Sequence, residues 1–424
     1  MKNIIGFFTK ELTSKLLITI SLLVLVRIGT FIPLPGIDQN YLSSFVKNSP
    51  IAGFVNTFSG DGTFILGLFT LNIFPYINAS ILMQVLVSIN PELERLQKEE
   101  GAAGRRRITQ ITRFLSFGWA LIQSLTISTF LKNILFDWNL VLASQIVLSL
   151  TAGSMIVMWI SEIITENGIG NGPSLLIFTN IVSNFPTLIK NLTIESLPLS
   201  SKILVVSILF IAISGIVCLQ EAVRLIPLVS SKELNSAETN VLNEQKPLNY
   251  IPLRLNQAGV MPIIFTATIL VFPSYLINLG IFPGLEINLF KKVSGILYWV
   301  TYFGLILTFS SFYSKIVLNP KDISNDLRKM AVTIPGIRPG PETTYFLAGT
   351  MNRVTLIGAL FLAVIATLPN IIETILNVST LRGLGTTSLL ISVGVIIDTI
   401  REIRSVVLSN IYQDMINFKE TKKF

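Results

Sequence analysis

Long apolar runs, broken by short polar stretches, occur ten times along the chain, at roughly 16–34, 64–89, 112–133, 139–165, 173–194, 201–221, 259–279, 295–318, 353–373 and 386–406. Each is long enough for an α-helix to cross a bilayer, which takes about 20 residues at 1.5 Å per residue. The pattern predicts ten transmembrane helices, and the even number puts both termini on one side. Between the first two runs, the apolar octet and serine at about 51–59 is bounded by Pro50 and Gly60-Asp61-Gly62. It is too short to span and reads as a half-helix tucked inside the protein. The second run carries Asn72, Pro75, Tyr76 and Asn78 and passes into a dense basic turn with Arg105, Arg106 and Arg107. Polar groups at membrane depth need protein or water around them, so this stretch reads as a broken helix lining an interior surface, followed by a topological anchor.

Composition agrees with that picture. Of 424 residues, 51% are hydrophobic and only 13% charged, a balance that excludes a soluble fold of this size. The net charge of +8 follows topology: 23 Lys and Arg lie toward the side of the termini and 7 toward the other, with Arg27 and Lys315 inside spans. The termini are therefore expected on the cytoplasmic or equivalent side. Histidine is absent and Cys218 is the single cysteine, which disfavours metal sites, catalytic triads and an intramolecular disulfide. Near the N-terminus no cleavage site follows the first apolar run, so no removable signal peptide is expected. No Walker motif is present, and Gly168-Ile169-Gly170-Asn171-Gly172 reads as a tight turn between antiparallel helices, not a phosphate loop. Arg27 reads as a structural partner of an ion or carbonyl.

The two long same-side loops, 222–258 and 319–353, carry proline, glycine and charge and suggest a docking surface. The second and seventh runs share Pro-x-Ile, at Pro75-Tyr76-Ile77 and Pro262-Ile263-Ile264. Five runs apart, they suggest a five-helix unit repeated in inverted orientation. Three function classes remain: a passive polypeptide channel, an inverted-repeat transporter for a small solute, and an intramembrane enzyme. The enzyme lacks a recognisable nucleophile–base pair. The transporter lacks charged midplane groups. A ring of branched apolar residues can instead block ions by dewetting.

The stretches RIGTFIPLPGID (27–38), FPYINASI (74–81), EEGAAGRRRITQITR (99–113), ITENGIGNGPS (164–174), LNQAGVMPIIF (255–265), PGIRPGPET (335–343) and GTTSLLI (385–391) resemble, in order and at family spacing, the SecY family, the channel-forming subunits of the Sec protein translocase. The resemblance implies an all-α membrane protein of ten transmembrane helices in two inverted pseudo-symmetric five-helix halves, 1–195 and 196–424, with 51–59 as the plug. It implies a pore ring of Ile73, Ile77, Ile177, Ile264, Thr268 and Ile391. It implies motor or ribosome docking through Arg338, Arg254, Arg105, Arg106 and Arg107. No cofactor and no enzymatic activity are implied. The implied partners are a SecE-like small membrane subunit and a further SecG-like one, a SecA-like ATPase and/or the ribosome, signal-bearing preproteins and lipid, with no specific nucleic acid. Within 222–258, Arg224, Lys232, Lys246 and Arg254 are balanced by Glu221, Glu233, Glu238 and Glu244, which argues against strong electrostatic docking of ribosomes there. The wording around QEAVRLIPLVS resembles cyanobacterial and plastid members, and the Ile, Asn and Lys usage suits an AT-rich organelle genome. A plastid thylakoid membrane is therefore expected, with a bacterial plasma membrane as the alternative.

Overall fold

The computed structural model describes residues 10–34, 67–98, 101–132, 139–194, 199–230, 249–257, 259, 261–266, 269, 296–376 and 386–421. Its helices are α1 (Lys10–Thr30), α2 (Phe74–Ile89), α3 (Pro91–Lys98), α4 (Gly101–Leu131), α5 (Leu140–Asn167), α6 (Gly172–Ile194), α7 (Leu199–Glu221), α8 (Ile296–Val317), α9 (Pro320–Lys329), α10 (Pro341–Leu376) and α11 (Thr386–Thr421). The expected runs at 16–34, 64–89, 112–133, 139–165, 173–194, 201–221, 295–318, 353–373 and 386–406 fall on α1, α2, α4, α5, α6, α7, α8, α10 and α11. The run at 259–279 is described as helical over 261–266, and the plug stretch 51–59 lies outside the described residues.

Among the described residues, four helical segments are long and apolar enough to cross a membrane: Leu12–Thr30, Leu140–Asn167, Val300–Lys329 and Pro341–Thr367. On α4 and α5, buried Ile146, Leu150 and Ile164 are joined by buried small hydroxyl residues, while large apolar side chains also face outward. Phe114 and Leu140 are 79% and 83% exposed, whereas Ser116, Ser124, Ser154 and Ser161 are buried. Small hydroxyl side chains between helices and large apolar ones outside suit a lipid solvent, in which hydrophobicity alone cannot hold helices together. Ser124 Oγ meets Thr151 Oγ1 at 3.1 Å between α4 and α5. Ser314 Oγ meets Thr355 Oγ1 at 2.8 Å between α8 and α10.

Contacts divide the chain into two compact units, residues 1–202 with 272–285 and 373–424, and residues 203–271 with 286–372. In the first, α4 packs on α2, α3 and α5, α5 packs on α1 and α6, and α11 packs on α6 and α1. The glycine run after α5 is the predicted tight turn. Gly170 has φ +91, and a Cβ on Gly172 would strike the Ser161 carbonyl. Thr19 Oγ1 of α1 donates to the Lys15 carbonyl at 2.9 Å and accepts from the buried Ile169 N–H at 3.0 Å, tying the turn to α1.

The second unit departs from an all-α chain. Loops 222–258 and 319–353 contribute an antiparallel sheet in the order β2-β1-β3, from β1 (Val223–Ser230), β2 (Asn249–Arg254) and β3 (Val332–Thr333). Strand β1 alternates, so Ile226 and Leu228 turn inward and meet Leu253, Leu327, Ile334, Leu347 and Met351 in one core. Pro227 is tolerated in this central strand because β3 pairs only at Val229 and Ser230, leaving one side of Pro227 without a ladder partner.

Candidate functional site

The expected break in the second span resolves as a helix beginning. Gly67 pairs with Pro33 in an antiparallel bridge, and from it the chain runs through non-helical turns to Ile73. Asn72 takes φ 47, the left-handed region that asparagine tolerates, and its Oδ1 accepts from the Ile73 N–H at 2.8 Å. Helix α2 then starts at Phe74 with Pro75 in its first turn. Proline is at home there, because the missing N–H would have had no intrahelical partner and the fixed φ suits the helix.

This local geometry sets Ile73 and Ile77 one helical turn apart, with the Ile77 N–H donating to the Ile73 carbonyl at 3.1 Å. Both are buried. Residues four apart share a helix face, so the two form one apolar step. Ile177 on α6 and Ile391 on α11 are also buried, on helices of the same unit that pack on each other. Ile264 is buried in the helical segment 261–266 of the second unit. Thr268 lies outside the described residues.

The docking residues fall into two groups. Arg254 and Arg338 belong to the small sheet domain of the second unit and are both exposed. Arg254 stands opposite Val223 in the β1–β2 ladder. Arg338 sits on a braced tip: the Ile337 N–H closes a turn on the Ile334 carbonyl at 3.1 Å, with Pro335 and left-handed Gly336 (φ 79) at its centre. Thr343 Oγ1 donates to the Arg338 carbonyl at 2.8 Å, and Ser324 Oγ to that of Gly340 at 3.0 Å. Arg105, Arg106 and Arg107 are exposed in the first two turns of α4. The expected basic turn is therefore helical. Helix α3 precedes it, and Gly101 at the start of α4 is left-handed (φ 57).

Several structural residues were not singled out by pattern. Arg113 of α4 holds Glu162 of α5 through two hydrogen bonds, across 49 residues of sequence. Arg27, expected to meet an ion or a carbonyl, places its guanidinium 5.0 Å from the Phe31 ring centre, a cation–π contact. Gly153 and Gly358 each press against a backbone carbonyl of a non-helical segment. Only a stray glycine inside an apolar run could have signalled them. No group of acids, histidines or cysteines suited to a metal occurs among the described residues.

The SecY family profile matches residues 67–400. Protein translocase subunit SecY of Trieres chinensis is 54% identical, covering 96% of this chain and 98% of that protein. The SecY subunit of Synechocystis sp. is 45% identical over 96% and 94%. Among solved structures, "The structure of a protein conducting channel" superposes with a TM-score of 0.61 at 18% identity, covering 94% of this chain and 93% of that one. "Sec61 in the Canine ribosome-channel complex from the endoplasmic reticulum" gives 0.60 at 17%, with the same coverage. Those identities speak to the fold, which is that of the protein-conducting channels, and the solute-transporter alternative finds no support among them. With a family profile over most of its length and a relative more than half identical from end to end, this chain belongs to the SecY family of multi-pass membrane protein translocase subunits.

Proposed function

We propose that this chain is the central, non-catalytic subunit of a protein translocation channel that passes unfolded preproteins across a membrane and releases hydrophobic segments sideways into lipid. Membership of the SecY family over nearly the whole chain carries this reading. The family resemblance assigns Ile73, Ile77, Ile177, Ile264 and Ile391, with Thr268, to a pore gasket, 51–59 to the plug, and 1–195 and 196–424 to two inverted halves. The burial of all five isoleucines, four on helical segments and Ile73 just ahead of α2, supports the gasket. A constriction lined this way holds too few partners for a stable water file, so it seals against ions without a charged gate. A signal helix leaves for lipid because each central Leu, Ile, Phe or Val favours the bilayer by about 0.3 to 0.6 kcal/mol, so ten contribute roughly 3 to 6.

The exposed Arg338 and Arg254, with Arg105, Arg106 and Arg107, receive a SecA-like ATPase or a ribosome. A ribosome-bound channel stands among the structural neighbours, which supports that class of partner. SecE-like and SecG-like subunits complete the complex. The membrane is the plastid thylakoid, both termini are stromal, and a bacterial plasma membrane is the alternative. Relatives of both plastid and cyanobacterial source support membership of this plastid and bacterial branch, and the codon-driven Ile, Asn and Lys usage is what favours the plastid within it. The test is reconstitution with SecE-like and SecA-like partners and a radiolabelled precursor. ATP-dependent protection of the precursor inside vesicles is expected, and its absence with all partners present would overturn the assignment.

A further inference from the structure

Two segments of this chain, one in each unit, share a left-handed residue and a leucine carbonyl at matching distances before a proline. Counting back from Pro75 and Pro262, the third residue is left-handed in both, Asn72 at φ 47 and Gly259 at φ 61. An asparagine side chain stitches each approach: Asn72 Oδ1 accepts from Ile73 N–H, and Asn256 Nδ2 donates to the Gly259 carbonyl at 2.9 Å. Counting back seven reaches Leu68 and Leu255. Both leucine carbonyls press on a glycine of an interior helix, Leu68 on Gly153 of α5 and Leu255 on Gly358 of α10. A Cβ on either glycine would strike that oxygen and stand 2.9 or 2.8 Å from the carbonyl carbon. The obstacle is backbone, which cannot rotate away as a side chain can.

We infer that Gly153 and Gly358 are paired positioning residues: each seats the leucine carbonyl and so sets where the helix bearing Ile77 or Ile264 begins within its own unit. The inference rests on the gasket reading for its consequence in ion sealing, though not for the seating itself. Glycine in a helix interior is ordinarily destabilising relative to alanine. Here alanine is expected to do harm, because the approach segment must back away and the following proline turn moves with it.

The experiment uses the full chain assembled in its reconstituted complex, with Cys218→Ser and either Ile77→Cys or Ile264→Cys, and a membrane-impermeant maleimide as probe. Gly153→Ala is expected to change the labelling rate at position 77 by about tenfold or more, the size of an ordinary overpacking penalty, while position 264 stays within about twofold. Gly358→Ala is expected to do the reverse. Gly118→Ala and Gly304→Ala, where an added Cβ meets nothing within 4 Å, should move neither. A merely structural loss would alter both positions together. Equal changes at both, no change at the matching position, or the same effect from the control glycines would overturn the inference. If Gly153→Ala does not assemble, Thr70→Val removes the hydroxyl that holds the Gly67 N–H at 2.8 Å and loosens the same approach without added volume. A labelling change at 77 alone is then expected, and none would overturn the seating. Planar-bilayer conductance of the glycine variants separates the two readings. The labelling change with ion leakage supports both, and the labelling change in an ion-tight channel keeps the seating while sinking the gasket.

Discussion

Arg113 grips both carboxylate oxygens of Glu162, Nε to Oε1 at 3.0 Å and Nη2 to Oε2 at 2.8 Å. The fork is planar and bidentate, which a lysine could not reproduce. Glu162 is only 14% exposed while Arg113 is 46% exposed, so the pair pins α4 to α5 from a partly solvated edge.

Removing one partner should cost about 1 kcal/mol, the upper range for a partly exposed pair with good geometry. Denaturant unfolding of Arg113→Ala, Glu162→Ala and the double variant checks this as a cycle. A coupling energy near zero would show that the fork contributes nothing to helix association.

Thr19→Val should destabilise the junction of α1 with the glycine turn by about 1 to 3 kcal/mol, because it leaves the buried Ile169 N–H without an acceptor. Thr19→Ser, which keeps the hydroxyl, should recover most of that loss. Thermal unfolding of the two variants in detergent decides it. Equal stability of both would mean that the hydroxyl is dispensable.

Arg338→Glu should leave the complex assembled, with stability within about 0.5 kcal/mol of the parent, because its exposed tip is braced through backbone groups and through Thr343 and Ser324. Motor-driven transport should stop. Normal precursor uptake by this variant would refute a docking role for Arg338.

Ile77→Asn with Ile264→Asn should let a water file persist and make the resting channel leak ions. The same variant should accept weakly hydrophobic signal sequences. Planar-bilayer conductance and a signal-variant transport assay are the measurements. An ion-tight double variant would make these isoleucines ordinary packing.

Much of the helical layout is legible in the sequence. Hydropathy is local, and a bilayer forces each spanning segment to satisfy its own backbone, so run lengths alone marked the stretches that became α1, α2, α4 to α8, α10 and α11. Proline and glycine are equally local in effect. The glycine run closed as a turn at Gly170, and a left-handed residue stands three before the proline of each Pro-x-Ile, at Asn72 and Gly259.

Other features needed the folded chain because they join residues whose spacing carries no signal. Pairing of β1 with β3 couples Val229 to Thr333, and it turned two expected loops into a sheet with its own core. Pro75 looked like a break within a span, yet the turns before it make it a first-turn residue, which only the path from Gly67 could decide. The Arg113–Glu162 fork and the seating of Leu68 on Gly153 depend on which helix faces which. Periodicity tells a helix that it has an inner face. Close packing of particular small and charged side chains settles what that face meets.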